Sequence, residues 1–161
     1  MRKVFIIIFV VSACFVVESV LSSVGGRWFK PNLEIIAVVF FNLFWGTRYG
    51  VISAFAAGLI RDSFAVGLFG LNVFSLLSCA YLTALFKIYL FHIGSMASRV
   101  FVACVMALAN LLIQYLVMVV FLSVDIGAAM THVIVPEVLA TTVIAAYAFN
   151  KIKKCVLKLS V

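Results

Sequence analysis

The side chains of this sequence that could do chemistry are a few acids and amides set among long apolar runs. Only five residues of 161 are acidic. On the helices predicted below, four polar residues fall toward one side of a membrane, and we call them the outer polar cluster. Its members are Glu34, Asp62, Asn72 and Glu137. Ionisable residues within a membrane normally face a bundle interior or water, so the cluster could line an outward-facing cavity or a partner contact. The alternative is that these residues are ordinary solvated charges at helix ends.

Motifs that would indicate catalysis do not occur in the sequence. The two histidines, His92 and His132, fall on opposite sides of the membrane in the predicted topology, and there is no HExxH, GxSxG or Walker-type motif. The four cysteines form no CxxC pair of the kind that zinc or redox sites use. We therefore expect no enzyme activity, no cofactor and no metal.

The composition indicates a polytopic membrane protein with a single domain, residues 1–161. Hydrophobic residues make up 67% of the chain and charged residues 11%, whereas soluble domains are about half apolar and a quarter charged. The net charge is +7, but Lys and Arg occur singly between apolar runs or beside the last one. A nucleic-acid site needs a basic patch, often with interleaved aromatics. We therefore expect a lipid bilayer, and no nucleic acid, as the partner of these charges.

The apolar runs predict an all-α bundle of six transmembrane helices. They cover residues 4–21, 32–45, 49–60, 71–91, 99–122 and 132–150, followed by a basic tail at 151–161. The tail alternates basic and apolar residues and should lie along a membrane surface. Two alternatives stay open. The basic start followed by an apolar run resembles a signal peptide, and the short second and third segments could form a re-entrant hairpin, leaving four spans.

The distribution of Lys and Arg predicts that both termini face the cytoplasm. With the N-terminus inside, nine basic residues fall at inside ends: Arg2, Lys3, Arg48, Lys87, Arg99, Lys151, Lys153, Lys154 and Lys158. Three fall at outside ends: Arg27, Lys30 and Arg61. The opposite orientation would invert this ratio.

Two helix faces carry small or amide side chains. The first, the glycine face, comprises Gly46, Gly50, Ala54 and Gly58, each four residues from the last. The second, the amide face, comprises Ala103, Ala107, Asn110 and Gln114. Small residues let membrane helices approach closely, and amides form hydrogen bonds between helices. Either face could serve packing within the bundle or contact with a partner helix.

The stretch over residues 31–75 resembles the rod-shape-determining MreD family. Its motifs run in the order PNL at 31–33, GTRYG at 46–50, GLIRD at 58–62 and GLFGLN at 67–72. The rest of the chain matches in size, hydropathy and the basic tail. Asn32 stands where the family often has Asp, which removes one charge from the outer side.

The resemblance implies a multi-pass protein of the bacterial inner membrane that acts as a non-enzymatic scaffold of the cell-elongation complex. This complex supports rod shape and lateral peptidoglycan synthesis. The implied partner is an MreC-like bitopic protein, and indirectly MreB-like filaments, a RodA-like glycosyltransferase and a penicillin-binding transpeptidase. The family fold is similar to the substrate-binding subunits of energy-coupling-factor transporters. The alternative function is therefore capture of a vitamin or metal in an outward pocket lined by the outer polar cluster. A homodimer is left open.

Overall fold

Six helices make up nearly all of the chain that the structure describes. The computed structural model describes residues 2–25, 31–65, 68–90, 96–122 and 137–147, and no strand occurs within these ranges. The helices are α1 (Arg2–Gly25), α2 (Leu33–Trp45), α3 (Thr47–Phe64), α4 (Leu71–Leu90), α5 (Met96–Leu122) and α6 (Glu137–Tyr147). The predicted tail at 151–161 and both ends of the predicted sixth helix, 132–136 and 148–150, lie outside the described residues.

Three helices are long and apolar enough to cross a membrane. Their candidate spans are Arg2–Ser23 in α1, Leu71–Tyr89 in α4 and Ser98–Phe121 in α5. The helices α2 and α6 are apolar but shorter. With 13 residues, α2 is only ~20 Å long at the usual helical rise, whereas a bilayer core is ~30 Å thick. Length and composition thus agree with a helical membrane protein and give three candidate spans within the described residues.

The short helices α2 and α3 lie at the centre of the bundle. Helix α3 packs against α1, α2 and α4, and α2 also packs against α4 and α5. Every residue of α2 from Glu34 to Asn42 is buried, as expected for a helix that is apolar on all sides. The long helices instead expose large apolar side chains; Phe5 on α1, for example, is 73% exposed. In a membrane, lipid covers such side chains.

Contacts at the helix ends show that α1 and α2 run in opposite directions and that α2 and α4 run in the same direction. The start of α2 meets the later part of α1, since Leu33 N donates to Glu18 Oε2 over 3.0 Å. The end of α2 meets the later part of α4, since Lys87 Nζ donates to the Leu43 carbonyl over 3.1 Å. The bundle therefore has two distinct ends. We call the end at which α2 begins the polar end, and the end at which α2 stops the basic end.

Three helices extend further than the sequence predicts. The third helix is predicted at 49–60, with Asp62 after its end, but α3 runs from Thr47 to Phe64, so a loop assignment is wrong over 62–64. The first helix is predicted at 4–21, but α1 runs from Arg2 to Gly25. The fifth helix is predicted at 99–122, but α5 begins at Met96. Glu18, Arg61 and Asp62 do not end their helices, because opposite charges or backbone N–H groups at neighbouring helices bind them.

Candidate functional site

Asp62 binds the first turn of the next helix along the chain. Its Oδ2 accepts hydrogen bonds from the backbone N–H groups of Gly70 (3.0 Å) and Val73 (3.1 Å). Its Oδ1 accepts from the Asn72 backbone N–H (3.1 Å) and from Asn72 Nδ2 (2.8 Å). The first N–H groups of a helix lack partners within it, and a negative charge there is favoured by the helix dipole. Asp62, only 3% exposed, therefore caps α4 from within α3.

Asn72 extends this contact to α5. Its Oδ1 accepts a hydrogen bond from Gln114 Nε2 over 2.9 Å, and the same Nε2 lies 3.3 Å from Ser75 Oγ. Amides on facing helices form such bonds readily in lipid. One chain of hydrogen bonds, from Asp62 through Asn72 to Gln114, thus joins α3, α4 and α5 at the polar end.

Arg61, on α3, joins its helix to two others, α1 and α2, through its guanidinium group. Its Nη2 donates to Glu18 Oε1 on α1, and its Nη1 lies 3.6 Å from Glu34 Oε2 on α2. Glu34 is 0% exposed, and its carboxylate oxygens have no hydrogen-bond donor among the described residues. A buried charge needs a partner, and Arg61 is the cation placed to serve Glu34. Glu18 also accepts from the Leu33 backbone N–H, so it supports the start of α2 as well.

The start of α2 is also fixed by α6. Asn32 caps α2, since its Oδ1 accepts from the Ile35 backbone N–H over 3.1 Å. The Asn32 backbone N–H donates to Thr141 Oγ1 over 3.0 Å, and Thr141 in turn donates to the Glu137 carbonyl. Thr141 is fully buried. The polar end therefore includes all six helices.

The outer polar cluster is only partly brought together. Asp62 and Asn72 are in direct contact. Glu34 is linked to this pair through Arg61, whose guanidinium lies beside Glu34 and which precedes Asp62 in the sequence. Glu137 lies one helical turn before Thr141 at the start of the described part of α6. No group of three or more His, Cys, Asp or Glu side chains that could hold a metal occurs within the described ranges.

Sequence reasoning did not assign three residues that take part in this site: Glu18, Arg61 and Thr141. In the sequence, Arg61 counts only as a basic residue at an outside helix end, and Glu18 lies on a separate predicted helix. A signal was available, since Arg61 is the single cation that the chain places beside a predicted outer acid on the third helix. Nothing in the sequence alone pairs Arg61 with Glu18 rather than with lipid headgroups. Thr141 lies four residues after Glu137, and this spacing predicts only that the two share a helix face.

The glycine face of α3 is divided between two neighbouring helices. A Cβ on Gly50 would lie 2.6 Å from Asn42 Cβ on α2, and a Cβ on Gly58 would lie 2.4 Å from Val73 Cα on α4. Ala54, between them, is fully buried. Gly46 lies outside these contacts and ends α2 with φ +100°, a conformation that favours glycine. Three of the four residues thus face other helices of the same chain.

The amide face of α5 likewise points into the bundle. Ala103 and Asn110 are fully buried and Ala107 nearly so, while Gln114 bonds to Asn72. Asn110 has no hydrogen-bond partner for either amide atom among the described residues. Apart from Gly46, both faces are therefore covered by helices of this chain.

Taken together, these contacts connect the helices at the polar end. The carboxylate oxygens of Asp62 are occupied by internal donors, and Glu18 is bound by Arg61 and by the start of α2. A general acid or base needs access to a substrate proton, and a pocket acid needs a free oxygen for its ligand. The site's chemistry is thus that of electrostatic and hydrogen-bonded cross-links at one end of a helix bundle.

Comparison with known proteins supports the resemblance seen in the motifs. The family model of the rod shape-determining protein MreD matches residues 1–152, whereas the motifs covered only residues 31–75. No curated protein and no solved structure matches the chain. A match over nearly the whole chain confirms the predicted family, so the chain belongs to the MreD family of rod shape-determining membrane proteins.

Proposed function

We propose that this protein is a non-enzymatic scaffold of the bacterial cell-elongation complex, acting in rod-shape determination and lateral peptidoglycan synthesis. The observation that carries the proposal is the cross-linked polar end. Buried acids in a membrane bundle commonly mark a transport or ligand path, but here they connect helices instead. Family membership supports the role in rod shape. In this proposal the protein supplies a rigid intramembrane body on which single-span partners assemble.

The cross-linked polar end also supports a scaffold over an energy-coupling-factor-type substrate subunit. A vitamin or metal in an outward pocket would need donors or acceptors that are free to bind it. Asp62 gives both of its oxygens to α4, and Glu34 is fully buried beside Arg61. The likeness of the family fold to those subunits concerns architecture, and it stays a prediction.

We infer that an MreC-like bitopic protein contacts the outward face of α1. Helix α1 packs on α2 and α3 by one side, and its opposite side exposes Phe9, Val16 and Val20, with the small, exposed Ala13 between them. Helix association in lipid depends on close packing, which a small residue permits. MreB-like filaments, a RodA-like glycosyltransferase and a penicillin-binding transpeptidase would join through that partner. We place the complex in the bacterial inner membrane, with six spans and both termini in the cytoplasm.

The test is co-purification of the tagged full-length chain with the MreC-like protein from the same cells, combined with rescue of rod shape in cells that lack the chain. Wild type should recover the partner and restore rods. Ala13→Leu should reduce recovery while leaving the amount of protein in the membrane unchanged. The matched control is Ala146→Leu, since Ala146 is also an exposed alanine but lies on α6.

Absence of the MreC-like protein from wild-type preparations would count against the scaffold role. Equal recovery with both variants would exclude the α1 face alone. Thermal stabilisation of the purified protein by a vitamin or a metal ion would favour the transporter alternative instead.

A further inference from the structure

One outward face of α4 carries a regular line of side chains. They follow one another in steps of four, three, four and three residues, and we call them the α4 seam: Phe74, Ser78, Tyr81, Leu85 and Ile88. The four large members are more than half exposed, and Ser78 is half-buried. Alternating steps of three and four place side chains along the contact line of two packed helices. The opposite face of α4 packs into the bundle through Ser75, Cys79 and Thr83, which are fully buried.

Tyr81 places a hydroxyl at the middle of the seam and at the middle of a candidate membrane span. The span covers Leu71–Tyr89, so Tyr81 lies ~15 and ~12 Å from its two ends at the usual helical rise. The Tyr81 side chain is 60% exposed, and its hydroxyl forms no hydrogen bond with the rest of the described chain. Tyrosines that face lipid usually lie at the membrane surface, where the hydroxyl reaches water. At mid-span the Tyr81 hydroxyl instead needs an acceptor on a neighbouring helix.

The outward faces of the other two candidate spans show no such need within the described residues. Their large exposed side chains are Phe, Ile, Leu, Val and Met only, and lipid covers these without an unmet hydrogen bond. Tyr89 on α4 is also exposed, but it lies at the end of its span, where a tyrosine hydroxyl is ordinarily found. The α4 seam is therefore the outward surface on which a polar partner is required.

Ser78 supplies a matching acceptor on the same seam. Its hydroxyl donates to the Phe74 carbonyl of its own helix over 2.8 Å, which leaves the oxygen lone pairs to accept. Ser78 lies three residues before Tyr81, or ~4.5 Å along the helix axis, and helical side chains lean toward the N-terminus. Across a parallel pair of α4 helices, the Tyr81 hydroxyl thus leans toward the level of Ser78. A serine is also small enough to let a second helix approach closely.

We propose that the α4 seam binds the α4 seam of a second copy of this chain, so that the protein forms a two-fold symmetric dimer in the membrane. Copies inserted in the same orientation present parallel α4 helices to each other. Each contact of a two-fold interface occurs twice, so Tyr81 of each copy donates to Ser78 of the other. A second copy fits because the seam carries both the donor and the acceptor. The proposal rests on α4 crossing the membrane, as its length and composition indicate, and not on the MreC-like contact at α1.

The test measures energy transfer between full-length chains that carry donor or acceptor fluorescent proteins at the C-terminus. The chains are placed in vesicles of phosphatidylethanolamine and phosphatidylglycerol, and the protein-to-lipid ratio is varied to obtain an apparent dissociation constant. Tyr81→Phe removes only the hydroxyl and should weaken dimerisation about fivefold, because symmetry removes two hydrogen bonds at once. Ser78→Leu blocks the close approach of the helices and should weaken dimerisation by more than about tenfold.

Two control variants make the same chemical changes outside the seam. Tyr89→Phe removes a hydroxyl from the same helix at the end of its span. Ser63→Leu adds the same bulk at an exposed serine that likewise bonds to a carbonyl of its own helix. Both should dimerise like wild type. Circular dichroism and thermal unfolding in detergent check that the variants fold, and if Ser78→Leu does not fold, Tyr81→Phe decides, because it keeps the ring and its volume.

Several results would overturn the proposal. Wild type that stays monomeric at the highest protein-to-lipid ratio forms no such dimer. Dimerisation that Tyr81→Phe leaves unchanged, or that Tyr89→Phe weakens equally, would show that the Tyr81 hydroxyl takes no part. Equal losses in Ser78→Leu and Ser63→Leu would show a general effect of added bulk. If wild type is monomeric and Ser78→Leu loses the MreC-like protein in co-purification, the seam belongs to a single-span partner instead. Failure of the α1 contact leaves the energy-transfer measurements unaffected.

Discussion

At the scale of single residues, Asp62 is the side chain on which the contact between α3 and α4 most depends. It accepts four hydrogen bonds, three of them from backbone N–H groups of Gly70, Asn72 and Val73. Asn keeps one acceptor oxygen and loses the charge. We expect Asp62→Asn to lower the free energy of unfolding by about 1–2 kcal/mol, the usual cost of losing a helix cap. Thermal unfolding of the purified protein in detergent measures this.

The matched control for Asp62 is the next residue. Ser63 is exposed and its hydroxyl bonds only to the Leu59 carbonyl of its own helix. Ser63→Ala should change stability by less than about 0.5 kcal/mol. If both variants unfold at the same temperature as wild type, Asp62 does not hold α4 in place.

Gly50 and Gly58 should differ in their tolerance of a methyl group. At Gly58 the added Cβ would lie 2.4 Å from the backbone Cα of Val73, whereas at Gly50 the nearest atoms belong to the Asn42 side chain. A backbone cannot move aside as a side chain can. We expect Gly58→Ala to cost about 1–3 kcal/mol through overpacking, and Gly50→Ala to cost less. Unfolding midpoints in detergent rank the two variants, and a larger loss at Gly50 would contradict the packing described for α3.

The spacing of residues in the sequence predicted which side chains lie near one another more accurately than it predicted their contacts. The spacing of Asp62 and Asn72 placed both on one side of the membrane, and the structure brings them into contact. Spacing could not show that Asp62 bonds to backbone groups, since those donors depend on how α4 begins after the turn at Gly70. The glycine spacing predicted a smooth face, but which helix covers each glycine depends on tertiary packing alone.

At the scale of helices, Arg61 connects α1, α2 and α3 through two carboxylates. Without Arg61, the buried Glu34 carboxylate would lose the cation that lies beside it. We expect Arg61→Gln to destabilise the protein by about 3 kcal/mol, because breaking a buried pair strands the other charge. Glu34→Gln in the same chain should recover part of that loss. A double-mutant cycle on unfolding free energies measures the coupling.

Arg48→Gln is the control for this cycle, since it removes an arginine from the same helix at an exposed position. Its stability in lipid-free detergent should stay within about 0.5 kcal/mol of wild type. Strictly additive losses in Arg61→Gln and Glu34→Gln would show that the ion pair does not join α2 to α3.

Helix lengths show where sequence reasoning succeeds and where it cannot. The apolar runs located α2 and α4 to within a residue or so, because Pro31 and Trp45-Gly46 are clear boundaries. The apolar run underestimates the extent of α3, because the charges of Arg61 and Asp62 are typical of a helix boundary. A charge ends a membrane helix only where it must reach water. Here Glu18 binds Arg61, and backbone N–H groups at the start of α4 bind Asp62.

At the scale of the whole molecule, the acids and the cations lie mostly at opposite ends of the bundle. The described acids lie at the polar end together with Arg61, whereas Lys3 and Lys87 lie at the basic end. Counting Lys and Arg in the sequence predicted this asymmetry without any knowledge of packing. The number of spans does not follow from this count of charges, because α2 has only 13 residues and α3 carries charge in its first and last turns. A test of topology must therefore probe the α2–α3 turn itself.

Cysteine labelling at the two ends of α3 distinguishes six spans from four. Thr47 and Ser63 are both exposed and lie at opposite ends of the helix. If α2 and α3 each cross the membrane and the termini are cytoplasmic, a membrane-impermeant maleimide should label Thr47→Cys only from the cytoplasmic side and Ser63→Cys only from the outer side. Wild type, with its own cysteines, gives the background. A re-entrant hairpin would leave Thr47→Cys unlabelled from either side until detergent is added, because the turn would then end inside the bilayer.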